Sequence, residues 1–340
     1  MEGNVDGEVQ KAPEVSRNKE ALVLPRIKYE FFFAPHAFPK ELDGLKERFD
    51  NADIYIPEAR GWNQEQLDVL RAIANGDIDV MQKIPGEEDG APGLRWNIRF
   101  IRMLYNSYKP ITFVDVPEIE SKKQKVLEPN WNGTFSDVLN SIREISAYGL
   151  QYTRSREKYM LDHLEPRVKE LIEEHPSLKA KEEINVLLSL GTAHDPIYID
   201  LKKRGGETIR FFGQSSPVFL FMEEGARRLR FNKVIDDDLA SKMYLEMIFN
   251  GSFGRDMDKL TEDTMKHEKL SRKIISHFSF DEARQVFESI KIVRDPRLVM
   301  EAKLREKNIN LPQSEKELDE FLAKPLRHSP NSSSSTAVKI

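Results

Sequence analysis

Four separate stretches of the chain run from apolar residues straight into side chains capable of chemistry. His36 ends YEFFFAPH, Glu58 ends IYIPE, Asp115 ends ITFVD with Glu118 close behind, and His194 and Asp195 end INVLLSLGTAHD. If the apolar runs are strands of one open α/β sheet, these residues stand beyond its carboxyl edge. That is the rim where such sheets bind ligands, and residues far apart in sequence meet there. Two imidazoles and two or three carboxylates on one rim suit a hard-to-borderline divalent metal, or an acid/base site without one. Each residue also has a plainer reading. His36 beside prolines is a loop imidazole, Glu58 pairs with Arg60 on the surface, and Asp115 caps a helix or closes a turn.

The elements needed to build that rim are visible in the patterning. Strands are expected at Tyr29–Phe33, Asp53–Ile56, Ile111–Val114 and Ile184–Leu190, with a further one at Thr208–Phe212. Ile184–Leu190 is almost uninterrupted apolar and ends at Gly191. Helical spacing falls between the strands. Leu42, Leu45 and Phe49 follow Pro39, and helices are expected around Gln64–Ala74 and Trp96–Tyr108. Thr134 and Asp137 make a capping start for a helix carrying Val138, Ile142 and Ile145, and its stripe continues through Met160, Leu164, Val168 and Leu171. Pro166 is expected to kink or restart that helix. Alternation of this kind predicts an α/β fold, a mostly parallel sheet flanked by helices.

Beyond about residue 215 only helical patterns remain, around 237–249, 259–278, 279–290 and 314–322. Ser279 with Glu282 and Ser314 with Glu317 have the spacing of capping boxes. Residues 215–325 are therefore expected to form an all-helical C-terminal region packed on a 25–214 α/β domain, as a lid or wall beside the rim. Residues 1–24 and 326–340, rich in Gly, Pro and charge or in Ser, read as disordered tails. No repeat period is present.

Composition narrows the function. The 340 residues are 39% hydrophobic and 32% charged, and Cys is absent, so disulfides, thiolate nucleophiles and cysteine-held metals are excluded. A net charge of −5 has the wrong sign for binding driven by phosphate neutralisation, so no nucleic-acid partner is expected. No apolar run is long enough for a membrane span, and the polar, acidic start lacks the pattern of a secretory signal, which makes the cytoplasm the expected location. Phosphate-loop, dinucleotide-fingerprint and H-E-x-x-H motifs are missing, and GQSSP at 213–217 is not a nucleophile elbow.

Across about residues 27–203 the order of the pieces resembles the EreA/ChaN-like superfamily and, within it, the TraB and Tiki proteins. In that family an opening strand and Gly-x-x-His turn are followed by a strand ending in Glu. A helix with an Arg motif comes next, and then an apolar strand running into a second Gly-x-x-His. Here the pieces are YEFFFAPH, IYIPE, SREKYMLDHL and INVLLSLGTAHD. The chain differs in having Ala34-Pro35 before the first His, and Glu157 after Arg156 where Asn or Asp is usual. The resemblance implies that His36, Glu58, Arg156 and His194 are the functional positions. The family includes erythromycin esterases, Tiki-type metal-dependent proteases and a haem-binding lipoprotein, so the resemblance implies a site and not one reaction. The first expectation is a metal-dependent hydrolase of the esterase or metalloprotease type, acting on a small molecule or peptide. His36, Glu58 and His194 would hold a divalent metal or a water. Arg156 would clamp an anionic group or the developing oxyanion, although within SREK it also reads as a solvated charge. The alternative is a module that binds haem or a metabolite without turnover, or one that recruits a protein partner through its C-terminal helices around a degenerate site.

Overall fold

The computed structural model describes residues 25–34, 39–85, 92–121, 125, 127–213 and 220–324. Four parallel strands, β1 (Arg26–Phe33), β2 (Ile54–Pro57), β3 (Glu183–Leu190) and β4 (Glu207–Phe212), form one sheet in the order β2-β3-β1-β4. β1 and β3 hold its centre because both are apolar on both faces, and in a parallel sheet each face is covered by helices. The fifth expected strand at 208–212 is present as β4, on the outer edge. The expected strand at 111–115 is not a full one. It touches β2 through a single bridge, Tyr55 to Ile111, on the other edge. Tyr55 N–H donates to the Pro110 carbonyl at 3.0 Å and the Tyr55 carbonyl accepts from Thr112 N–H at 3.4 Å, but Pro57, the next residue of β2 on that side, lacks the N–H that would carry the ladder on.

Helices α1 (Glu41–Asn51), α2 (Gln64–Ala74), α3 (Ile78–Met81) and α4 (Pro92–Leu104) connect the first strands, and a short turn, α5 (Glu118–Ser121), follows. Next come α6 (Phe135–Glu174), α7 (Pro176–Lys179) and, after β3, α8 (Asp195–Lys203). The C-terminal region is helical throughout: α9 (Phe221–Arg230), α10 (Asp237–Leu260), α11 (Thr264–Ile275), α12 (Phe280–Val293), α13 (Pro296–Glu306) and α14 (Glu315–Ala323). No described helix is long and apolar enough to cross a membrane.

The α6 helix is 40 residues long and runs through Pro166 without a break, so the helix does not restart there. A mid-helix proline costs about 3 kcal/mol. Leu161, Leu164, Val168 and Leu171, buried against β1 and β3, hold the helix on both sides of that residue. The first half of α6 lies in a different core. Phe135, Val138, Leu139 and Ile142 pack with α10 and α12, so one helix is shared by the sheet core and the helical core. Thr134 and Asp137 cap its start reciprocally, as the sequence predicts. Ser279 with Glu282 forms a complete box as well, and so does Asn63 with Gln66 at the start of α2. At α14 only half of the expected box forms: Ser314 accepts from Glu317 N–H, while the Glu317 carboxylate accepts from Gln313 N–H at 2.8 Å.

Candidate functional site

The carboxyl edge gathers six charged side chains from five parts of the chain. Glu58 follows β2 directly, and its backbone N–H still donates to Ser189 O at 2.8 Å, which continues the β2–β3 ladder and fixes the residue at the rim. Its side chain turns toward the end of β3, where Gly191 N–H donates to Oε2 at 2.6 Å. A Cβ at residue 191 would stand 3.1 Å from that oxygen, so the glycine is what allows so close an approach. After Gly191 the chain makes one 3-10 turn, Thr192–His194, and enters α8 with Pro196 in its first turn. That turn swings His194 inward until it is 2% exposed, with Nε2 at 3.3 Å from Glu58 Oε1.

Arg156 enters from α6. Its Nε and Nη2 grip both oxygens of Asp115, and Nη2 also donates to Glu58 Oε1 at 2.8 Å. Asp115 is 1% exposed. Its position is locked by its own carbonyl, which accepts from Trp62 Nε1 at 2.7 Å, and by Val116 N–H, which donates to Oδ1 at 2.7 Å. The adjacent Glu157 faces the other side of the imidazole. Its Oε1 lies 3.6 Å from His194 Nδ1, an ion-pair distance that is too long for a hydrogen bond. Arg230, the last residue of α9, donates to Glu157 at 3.0 Å and reaches the Ala193 carbonyl at 3.3 Å.

The result is a chain of alternating charge: Arg230, Glu157, His194, Glu58, Arg156, Asp115. It is neutral when His194 is protonated and carries one negative charge when it is not. Burial works against a charge on His194, but Glu157 and Glu58 on its two sides outweigh that, and its pKa is raised above the ordinary imidazole value. Burial likewise opposes ionisation of Glu58. Hydrogen bonds and charge from His194, Arg156 and Gly191 reverse the sign and hold its carboxyl well below the usual range. Arg156 is desolvated as well, yet Asp115 and Glu58 fix its proton more firmly than in water.

Of the expected site residues, Glu58, Arg156 and His194 come together, and Asp115 joins them. His36 lies outside the described residues. Asp195 turns away to pair with Arg210 of β4 at 2.7 Å, and Glu118 approaches Asn63 near the rim without reaching the cluster. Sequence reasoning missed two members. Glu157 stood out only as an unusual neighbour of Arg156. Nothing local singles out Arg230 among the basic residues that end α9.

The metal expectation rests on His36, Glu58 and His194 together. Among the described residues no group of three His, Asp or Glu side chains could hold an ion. Glu58 Oε1 already faces the Arg156 guanidinium and His194, and Oε2 accepts from Gly191. Among the described donors, Glu58 is thus answered by Arg156, Gly191 and His194. No protein family, curated protein or solved structure matches the chain.

Proposed function

We propose that this edge is a hydrolytic site of the EreA/ChaN-like type, cleaving an ester or peptide-like bond in a small molecule or peptide. One observation carries the reading: Glu58, Arg156 and His194, in the order the resemblance expects, meet in a single buried cluster at the carboxyl ends of parallel strands. His194, held between two carboxylates, binds its proton more firmly than an ordinary imidazole and gives it to the leaving oxygen or nitrogen as the bond to the carbonyl carbon breaks. Arg156 commits Nε and Nη2 to Asp115 and Glu58. Nη1 makes no hydrogen bond to a described residue and is the donor for the carbonyl oxygen as it gains negative charge. Glu58, with its side chain 21% exposed, is open to water where Arg156 and His194 are not. It accepts the proton of the attacking water and passes it across the 3.3 Å contact to His194, which restores the starting state.

The experiment is a panel of chromogenic esters and fluorogenic peptides, run with wild type and His194→Gln, each with chelator and with added divalent metal. Turnover by the wild type that falls at least about 100-fold in the variant is expected. Turnover that is unchanged in a folded His194→Gln protein would overturn the reading, and dependence on metal would return His36 to the centre of the site.

A second reading has its own support. Every charge in the cluster is answered by a neighbour, as in a rim that holds haem or a metabolite without turning it over, or a degenerate site in a protein that recruits a partner through its C-terminal helices. A wild type that is inactive across the panel but stabilised against heat by one of those ligands would favour it.

A further inference from the structure

A cavity of about 640 Å³ lies in the C-terminal helical region, away from the sheet edge. Pockets of this size hold small molecules. Its floor is apolar and well ordered by packing: Phe253 and Met257 from α10, Leu304 from α13, and Ile309 from the segment that follows are all buried. The charges at its mouth are unevenly matched. Arg297 lies over the Phe253 ring and takes both nearby carboxylates, Asp256 at 2.8 Å and Glu301 at 3.0 Å. With those acids committed, Arg305 is exposed and forms no ion pair with any described residue, and Lys259 has only Asp256 at 3.9 Å. The unanswered charge at the mouth is therefore positive, above an apolar floor.

We propose that this cavity is a binding site for an amphipathic carboxylate, with its hydrocarbon body on Phe253, Met257, Leu304 and Ile309 and its carboxylate toward Arg305 and Lys259. Apolar burial supplies affinity, and the cationic rim selects the anion over a neutral or cationic amphiphile. The site is independent of the sheet-edge cluster, so it stands whether or not that edge hydrolyses anything. The α10 and α13 helices that form it also carry the core that embraces the first half of α6, so a bound ligand would brace that core.

The test uses the full chain and decanoate as the probe. Methyl resonances of Met257, Leu304 and Ile309 are followed by NMR while decanoate is titrated below its micelle concentration, and 1-octanol and decylamine serve as neutral and cationic controls. Saturable shifts at those methyls are expected, with binding weakened about tenfold in Arg305→Glu and further in Arg305→Glu/Lys259→Glu. Both positions are exposed, so these variants keep the fold. Absence of saturable shifts at the three methyls, equal binding of decylamine, or affinity unchanged in the double variant would each overturn the proposal.

Discussion

Arg156 carries one positive charge between two carboxylates, and this imbalance decides what its loss would do. Replacing it by Met keeps much of the volume but leaves Asp115 and Glu58 facing each other with no cation between them. An uncompensated buried charge costs about 3–5 kcal/mol. Arg156→Met is therefore expected to lower stability in urea titrations by that order. Arg156→Lys should lose less, because it keeps the charge and gives up the two-pronged grip on Asp115. His194 sets a pH dependence of definite sign. Its folded pKa lies above the unfolded value of 6.5, so its ion pairs stabilise the fold fully below about pH 6.5, and the contribution disappears as pH rises through the folded value. Glu58 acts in the opposite direction. Its contribution is present above about pH 4.5 and is lost as pH falls toward its depressed value. Urea midpoints measured from pH 2 to 9 should decline on the alkaline side and again below about pH 4.5, and His194→Gln should flatten the alkaline decline and weaken the acid one, because His194 is the foremost group holding the Glu58 carboxyl down.

The elements place these residues by devices that differ in how openly the sequence displays them. Strand-end placement is local: an apolar run followed by a polar residue is enough to mark Glu58, Asp115 and His194. Capping is local too, and Thr134 and Ser279 behave as their spacing predicts. Long-range competition is not local. The 111–114 segment has strand composition, but Pro57 of the neighbouring strand lacks the N–H that a longer ladder needs. Pro166 has the chemistry of a helix breaker, yet the sheet beneath α6 outweighs it. Arg230 and Glu157 are ordinary helix charges until α9 docks on α6, and what docks α9 is a residue no sequence pattern marks. Glu246 of α10, 1% exposed, accepts from the backbone N–H groups of Phe221 and Met222 and so caps α9 from a neighbouring helix. Removing it leaves one buried and one half-buried donor unmet at the start of the element whose last residue reaches Glu157. Glu246→Ala is expected to cost about 2 kcal/mol. It should also speed amide hydrogen exchange in the first turn of α9, whereas exchange in β3 is unchanged.

The two cores of the molecule are joined through one helix, and their stabilities follow from that. The sheet core takes the second half of α6 and the helical core takes the first, so neither can be removed without stripping one face of a continuous 40-residue element. Arg230 adds a polar tie at the rim, and Lys40 to Asp263 at 3.3 Å adds another between α1 and the helical region. A chain ending at residue 214 would lose both ties and expose Phe135, Val138, Leu139 and Ile142 along one stripe of α6. Fully burying side chains of this kind is worth about 1.5–3 kcal/mol each, and a bare stripe of four is also a site of self-association. The sheet would still hold Leu161, Leu164, Val168 and Leu171, so the helix should fray from its N-terminal end toward the middle. The expected outcome for residues 1–214 is a protein that binds a hydrophobic dye strongly, associates as its concentration rises, and is cut by protease between about residues 135 and 150 while β3 stays protected. A monomeric, dye-silent truncation with α6 protected along its whole length would show that the two cores stand independently, and that Arg230 approaches the rim without supporting it.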